Sequence, residues 1–148
     1  MERKMMLRRL FLSLPILLAA GLCSAACDDG SVPGAFPFSS AAAASSFLTS
    51  LQRAISREDN TAVADLVQFP LRTTLGGKSV RLRRSELLAN FDEVFNQKVT
   101  AAIVAARFRS ETDYRCVFWN DQGIMLGDGE VWLNEADDKI KIITINND

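Results

Sequence analysis

The chain has no histidine among its 148 residues, one tyrosine, two tryptophans and three cysteines. Without histidine there is no Ser-His-Asp or Cys-His site, no His-ligated zinc and no imidazole proton shuttle. An excess of charge of either sign is missing too: 17 basic and 18 acidic residues leave a formal net charge of −1. The composition is 48% hydrophobic and 24% charged, which excludes a disordered or collagen-like chain, and the length suits one domain. The apolar run from Leu10 to Ala20 falls well short of the roughly 20 residues that a spanning helix needs, and Pro15 interrupts it.

That run belongs to a targeting pattern. Arg3, Lys4, Arg8 and Arg9 precede it, and the small residues Ser24, Ala25 and Ala26 follow it. A basic start, a short apolar stretch and a small-residue cleavage site describe a secretory signal peptide over residues 1–26. Its removal takes four basic residues and Glu2, leaving 13 basic against 17 acidic and a net charge near −4. Cleavage after Ala25 or Ala26 releases a soluble periplasmic or secreted protein; cleavage before Cys27 by a lipoprotein peptidase anchors it through that thiol. Soluble release is preferred, because Ser24 stands where the lipoprotein route expects a branched apolar residue. Cys23 leaves with the signal. In an oxidising compartment, Cys27 and Cys116 then either form a disulfide or remain separate, with Cys116 a buried strand residue.

Residues 27–39 are rich in Gly, Pro and Ser, have no period and read as a flexible arm or tether; residues 40–148 form a single domain. From Ser40, the apolar positions Ala44, Phe47, Leu48, Leu51, Ala54 and Ile55 recur at helical spacing. Asn60 caps a short second helix that Phe69-Pro70 ends. Leu71, Thr73 and Leu75 alternate with Arg72 and Thr74, Gly76-Gly77 supplies a two-residue turn, and Val80 and Leu82 alternate with Arg81 and Arg83. Ser85 caps a third helix with Leu87, Leu88, Phe91, Val94 and Phe95 on its apolar face, and Val99 to Phe108 continues as a further helix. Tyr114–Asn120, Glu130–Asn134 and Ile140–Ile145 are strands, with Ile124-Met125-Leu126 either a strand of its own or the first half of the one ending at Leu133. Helices, a hairpin, a helix and an antiparallel meander predict an α+β domain with helices packed on one face of a curved antiparallel sheet.

Four segments carry a resemblance: Val67-Gln-Phe-Pro-Leu-Arg72, Phe91-Asp-Glu-Val-Phe95, the run from Gly123 to Leu133 (GIMLGDGEVWL), and Ile140-Lys-Ile-Ile-Thr-Ile145. Over roughly residues 46–147 the chain resembles a widespread group of small exported bacterial proteins with the nuclear-transport-factor-2-like (cystatin-like) fold. The resemblance implies a cone-shaped α+β domain and brings no catalytic residues with it. Such a fold hosts isomerases, dehydratases, binding modules and immunity proteins, so the site must decide the function.

Candidate chemistry is sparse. Gly127-Asp128-Gly129 lacks the third glycine and the following helix of a dinucleotide fingerprint and reads as a turn or bulge. Asp121, Asp128 and Glu130 do not have calcium-loop spacing, so no metal and no cofactor is expected. Arg81 and Arg83 share a strand face, which is either solvated or meets an anionic ligand or partner; export and negative charge argue against nucleic acid. Alternation places Trp132 on one sheet face with Glu130, where an amphipathic ring beside a carboxylate forms a pocket wall or simply packs in the core. Trp119, Tyr114 and Asp92 complete the candidate ligand-binding set. Asp65, Asp92 or Glu130 as general base, opposite Tyr114 as donor, would serve a histidine-free isomerase or dehydratase. The reading preferred on these residues is a non-catalytic binding module for a protein or small ligand. An immunity or inhibitor protein against an envelope-acting toxin or hydrolase is the alternative. Apolar residues on both faces of the last strand leave a homodimer open.

Overall fold

A computed structural model describes Cys27 and residues 34–148; the expected signal peptide lies outside the described residues. Helix α1 (Ala41–Ser56) starts where Ser40 takes an extended backbone and its hydroxyl accepts the Ala43 N–H at 3.2 Å. Its stripe of Ala44, Phe47, Leu48, Leu51 and Ala54 is buried, as the helical spacing predicted. Helix α2 (Asn60–Asp65) is capped one residue earlier than expected: the Asp59 carboxylate, not Asn60, accepts the Ala62 N–H at 2.9 Å. Asp59 has the nonhelical backbone that a cap requires, and Asn60 is already helical.

Strand β1 (Val67–Leu75) begins within the stretch assigned to that second helix and runs through Phe69-Pro70, which is a cis peptide. Pro70 has no N–H to give to a ladder, and the pairing of β1 with its parallel neighbour shifts register between Val67 and Arg72, where Pro70 lies. The turn at Gly76-Gly77, with φ of 54° and 73°, closes the expected hairpin with β2 (Lys78–Leu82). Two positive φ values in succession suit the primed turn that matches strand twist.

The expected third helix is two pieces, α3 (Arg84–Ala89) and α4 (Phe91–Val94), parted at Asn90. Ser85 does not cap α3. Arg83 holds the capping position, and the Glu86 carboxylate reaches back to accept its N–H at 2.7 Å. Asn96 caps α5 (Gln97–Ala105), which ends before Phe108, the chain continuing as β3 (Arg107–Ser110). Gln52 of α1 donates to the Ile103 and Ala106 carbonyls at 3.0 and 2.7 Å, satisfying acceptors that the end of α5 leaves free.

The span expected as one strand from Tyr114 to Asn120 is divided into β4 (Asp113–Arg115) and β5 (Val117–Asn120) by Cys116, whose φ is +54°. Strands β6 (Gly123–Leu126), β7 (Val131–Ala136) and β8 (Lys139–Ile145) complete a six-stranded sheet in the order β2-β1-β8-β7-β6-β5. Its neighbours are antiparallel except β1 and β8. Strands β3 and β4 form a separate pair beneath α1.

The domain is therefore α+β, with a mostly antiparallel curved sheet and helices on one side. One sheet face is largely apolar: Trp119, Ile124, Leu133 and Ile142 form one buried row, and Val117, Leu126, Val131 and Ile145 another, with Thr73 a buried polar residue on β1. Helices α1, α4 and α5 pack over this face. The segment expected as a loose arm is docked over its last described residues. Phe38 is buried, Phe36 stacks on Phe108 at 5.4 Å, and Ser39 donates twice to the Glu135 carboxylate at 2.6 and 2.7 Å. Cys27 is bonded to Cys116 across 89 residues, with Cα atoms 5.2 Å apart.

Candidate binding face

The sequence-derived candidates are dispersed by the fold into four places. Glu130 lies just before β7, in the turn formed by Gly127 and Gly129 with φ of 68° and 106°. Strand alternation does not extend through that turn, so Glu130 does not share a face with Trp132 as expected. It is instead buried on the helix side: its carboxylate accepts the Asp128 N–H at 2.6 Å and stands 3.8 Å from the Lys98 ammonium of α5. Gly127 has a φ of +68°, and a Cβ there would sit 2.7 Å from the Ala102 Cβ as well as against that carboxylate, so glycine is favoured. Glu130 thus braces its own loop.

Tyr114 and Trp119 do meet, edge to face at 4.8 Å, but inside an aromatic cluster with Phe36 and Phe108. Trp119 is 6% exposed, and its Nε1–H has no hydrogen-bond partner among the described residues. This is a packed core wall, with rings from the N-terminal segment, β3, β4 and β5. Asp92 is exposed on α4 and lines a different place, a cavity of about 570 Å³ shared with Ile55, Val63, Phe91 and Phe95. Asp65, the other carboxylate considered as a base, is exposed and paired with Arg84. No hydrogen bond joins Asp92 to Tyr114, which packs on Trp119 while Asp92 lines the cavity beside α4. Among the described residues, no three acidic or cysteine side chains cluster to hold a metal ion, and no helix is long and apolar enough to cross a membrane.

Trp132 lies on the sheet face opposite the buried one, over which no helix of the described residues packs. Strand register there lines up six residues, one per strand: Arg81, Arg72, Thr144, Trp132, Met125 and Phe118. Each is half-buried or exposed, and all but Thr144, which follows a bulge at Ile143, alternate with more deeply buried neighbours along their strands. At about 4.8 Å per strand, the row spans roughly 24 Å. It is basic at one end and apolar at the other.

At the basic end, a groove of about 420 Å³ opens over β1, β8 and the end of β7, lined by Arg72, Arg81, Thr144, Asn134, Pro70 and Ile143 among others. Arg72 and Arg81 are direct cross-strand partners, and both are exposed. Like charges placed opposite one another destabilise a sheet by some tenths of a kcal/mol. Neither guanidinium has an ion pair among the described residues, whereas Arg84, Lys98, Arg107 and Arg109 each have a carboxylate within 4 Å. Arg83, the partner expected for Arg81, has left the strand to cap α3. Arg72 is not among the candidates drawn from the sequence, and neither are Thr144, Met125 and Phe118, although the two-residue turn at Gly76-Gly77 pairs 72 with 81 by simple counting outward.

No family model matches the chain, and no curated protein or solved structure matches it either.

Proposed function

We propose that this protein is an exported, non-catalytic binding module of the bacterial envelope, built on a nuclear-transport-factor-2-like cone, whose binding surface is the helix-free face of the sheet. The observation that carries this reading is the row from Arg81 to Phe118: four strands present Thr144, Trp132, Met125 and Phe118 half-buried on a face over which no helix of the described residues packs, next to two guanidinium groups without an ion pair among those residues. Aromatic and methionine side chains beside arginine are the residue types that concentrate binding energy at interfaces. The Cys27–Cys116 bond supports an oxidising compartment, in keeping with the signal-like N-terminus. The Glu130 carboxylate is engaged with its own loop and with Lys98, which weighs against its use as a general base.

The same bare face favours one second reading, an inhibitor or immunity protein that covers an envelope-acting toxin or hydrolase. A sheet face about 24 Å across suits a protein partner. Native mass spectrometry on protein released gently from its own envelope tests the proposal. The wild type retains a ligand or partner mass, and Trp132→Ala loses it while its circular dichroism stays unchanged. Retention by both, or a bare chain in both, overturns the assignment of this face.

A further inference from the structure

On the reading that the helix-free face is the binding surface, we infer that the groove at its basic end is a site for an organic carboxylate with an apolar body, held by Arg72 and Arg81. Two guanidinium groups face each other across β1 and β2 with no carboxylate of the described chain between them, although acidic residues outnumber basic ones. The fold accepts a repulsive pair where a neutral residue would be more stable, and a bound anion removes that repulsion. Planar guanidinium forks match a planar carboxylate through paired hydrogen bonds.

The rest of the lining narrows the class. Asn134 and Thr144 offer neutral polar groups that do not compete for the arginines, while Pro70 and Ile143 supply apolar wall. No lining residue belongs to a helix, so the groove lacks the fan of free backbone N–H groups with which proteins usually hold phosphate. From the Arg72 column, the register leads across Thr144 to Trp132, two strands away. That distance is about 10 Å, the reach of a medium alkyl chain or of a side chain two or three residues along an extended peptide. The volume of about 420 Å³ lies within the usual range for small-ligand sites. A carboxylate at the arginines thus has its apolar body directed toward an indole.

The carboxylate has two sources, a free acid or an acidic residue of a peptide, and one titration separates them. The oxidised protein is followed by NMR at its arginine Nε–H resonances while octanoate, octanamide, inorganic phosphate or the peptide acetyl-Phe-Leu-Glu-Glu-amide is added. Octanoate or the peptide is expected to shift the Arg72 and Arg81 resonances saturably, with octanamide at least tenfold weaker. Arg72→Gln and Arg81→Gln each weaken binding about tenfold, and Arg57→Gln, an exposed charge at the end of α1, leaves it unchanged. Saturation by octanoate identifies a free acid; saturation by the peptide alone, with the same arginine dependence, identifies a protein-borne carboxylate. Equal binding of octanamide, tighter binding of phosphate, or no shift with either carboxylate overturns the inference. Should it fail while Trp132→Ala still strips the native mass from the envelope protein, the face remains the binding surface and only the carboxylate is removed from it.

Discussion

Reversing one charge of the Arg72–Arg81 pair should make the protein more stable. The two residues are opposite one another on β1 and β2, so their Cβ atoms lie about 5 Å apart and their flexible, exposed guanidinium groups average roughly 7 Å. In water two like charges at that distance repel by about 0.6 kcal/mol, and a Debye length of about 8 Å at physiological salt reduces this to about 0.25 kcal/mol. Arg72→Glu turns the repulsion into an attraction of similar size. The gain is then about 0.5 kcal/mol at 0.15 M salt and approaches 1 kcal/mol at about 0.01 M, where screening is slight. For a domain of this size that is a rise in Tm of about 2 °C, growing to about 4 °C at low salt. The assay is thermal unfolding at both salt concentrations of wild type, Arg72→Glu, Arg81→Glu and the double variant. Each single variant should gain stability, and the double variant, with two carboxylates now opposed, should return close to wild type. If the single variants lose stability, or the double variant shows the sum of two gains, the side chains do not face one another across the hairpin. A strained, repulsive pair kept for binding would then be ruled out.

Three further outcomes test the frame that holds this face. Gly123→Ala places a Cβ 2.1 Å from the Leu133 carbonyl oxygen at a φ of +139°, so it should cost about 3 kcal/mol in denaturant unfolding, because backbone of β6 or β7 must move. Replacing both Cys27 and Cys116 with serine opens a loop of 89 residues and should lower stability by up to about 4 kcal/mol, read as a reduced urea midpoint. Asp59→Ala removes the acceptor for the Ala62 N–H and should lose about 1 kcal/mol, whereas Asn60→Ala, one residue inside the helix, should change stability much less in the same assay.

Local patterns were legible in the amino-acid sequence wherever one element sufficed to produce them. The stripe of α1 and the Gly76-Gly77 hairpin follow from residue spacing alone, since one face of a helix and one face of a strand must each meet the core. What failed involved elements brought together from far along the chain. Phe69-Pro70 resembles a stop signal, yet β1 passes through it, and the parallel partner β8 lies some 70 residues away and leaves no trace in local periodicity. Phe36 and Phe38 sit in a stretch poor in pattern, and only the aromatic wall of Phe108 and Trp119 explains their docking.

The proposed binding face is only partly legible in the sequence. Alternation with Val131 and Leu133 places Trp132 on the outer sheet face, but the turn at Gly127 and Gly129 resets the backbone, so the same alternation does not hold for Glu130. The neighbour of Arg81 on the sheet is Arg72, not the Arg83 that strand alternation suggests. Arg83 is two residues along the same strand pattern, whereas Arg72 is across the hairpin, and the two-residue turn already determines that pairing. Thr144, Met125 and Phe118 join the row only through the order of strands in the sheet, which local sequence does not encode.

The most direct test of the helix-free face as the binding surface uses Met125, the one methionine outside the first six residues and the fifth residue of the row. Its thioether is half-buried among Phe118 and Trp132 on that face, and oxidation by dilute peroxide adds 16 Da that mass spectrometry reads at a single residue. The account predicts that Met125 oxidises several-fold more slowly in intact envelopes than in the purified protein, because its occupant covers the row. Equal rates in the two settings would contradict it.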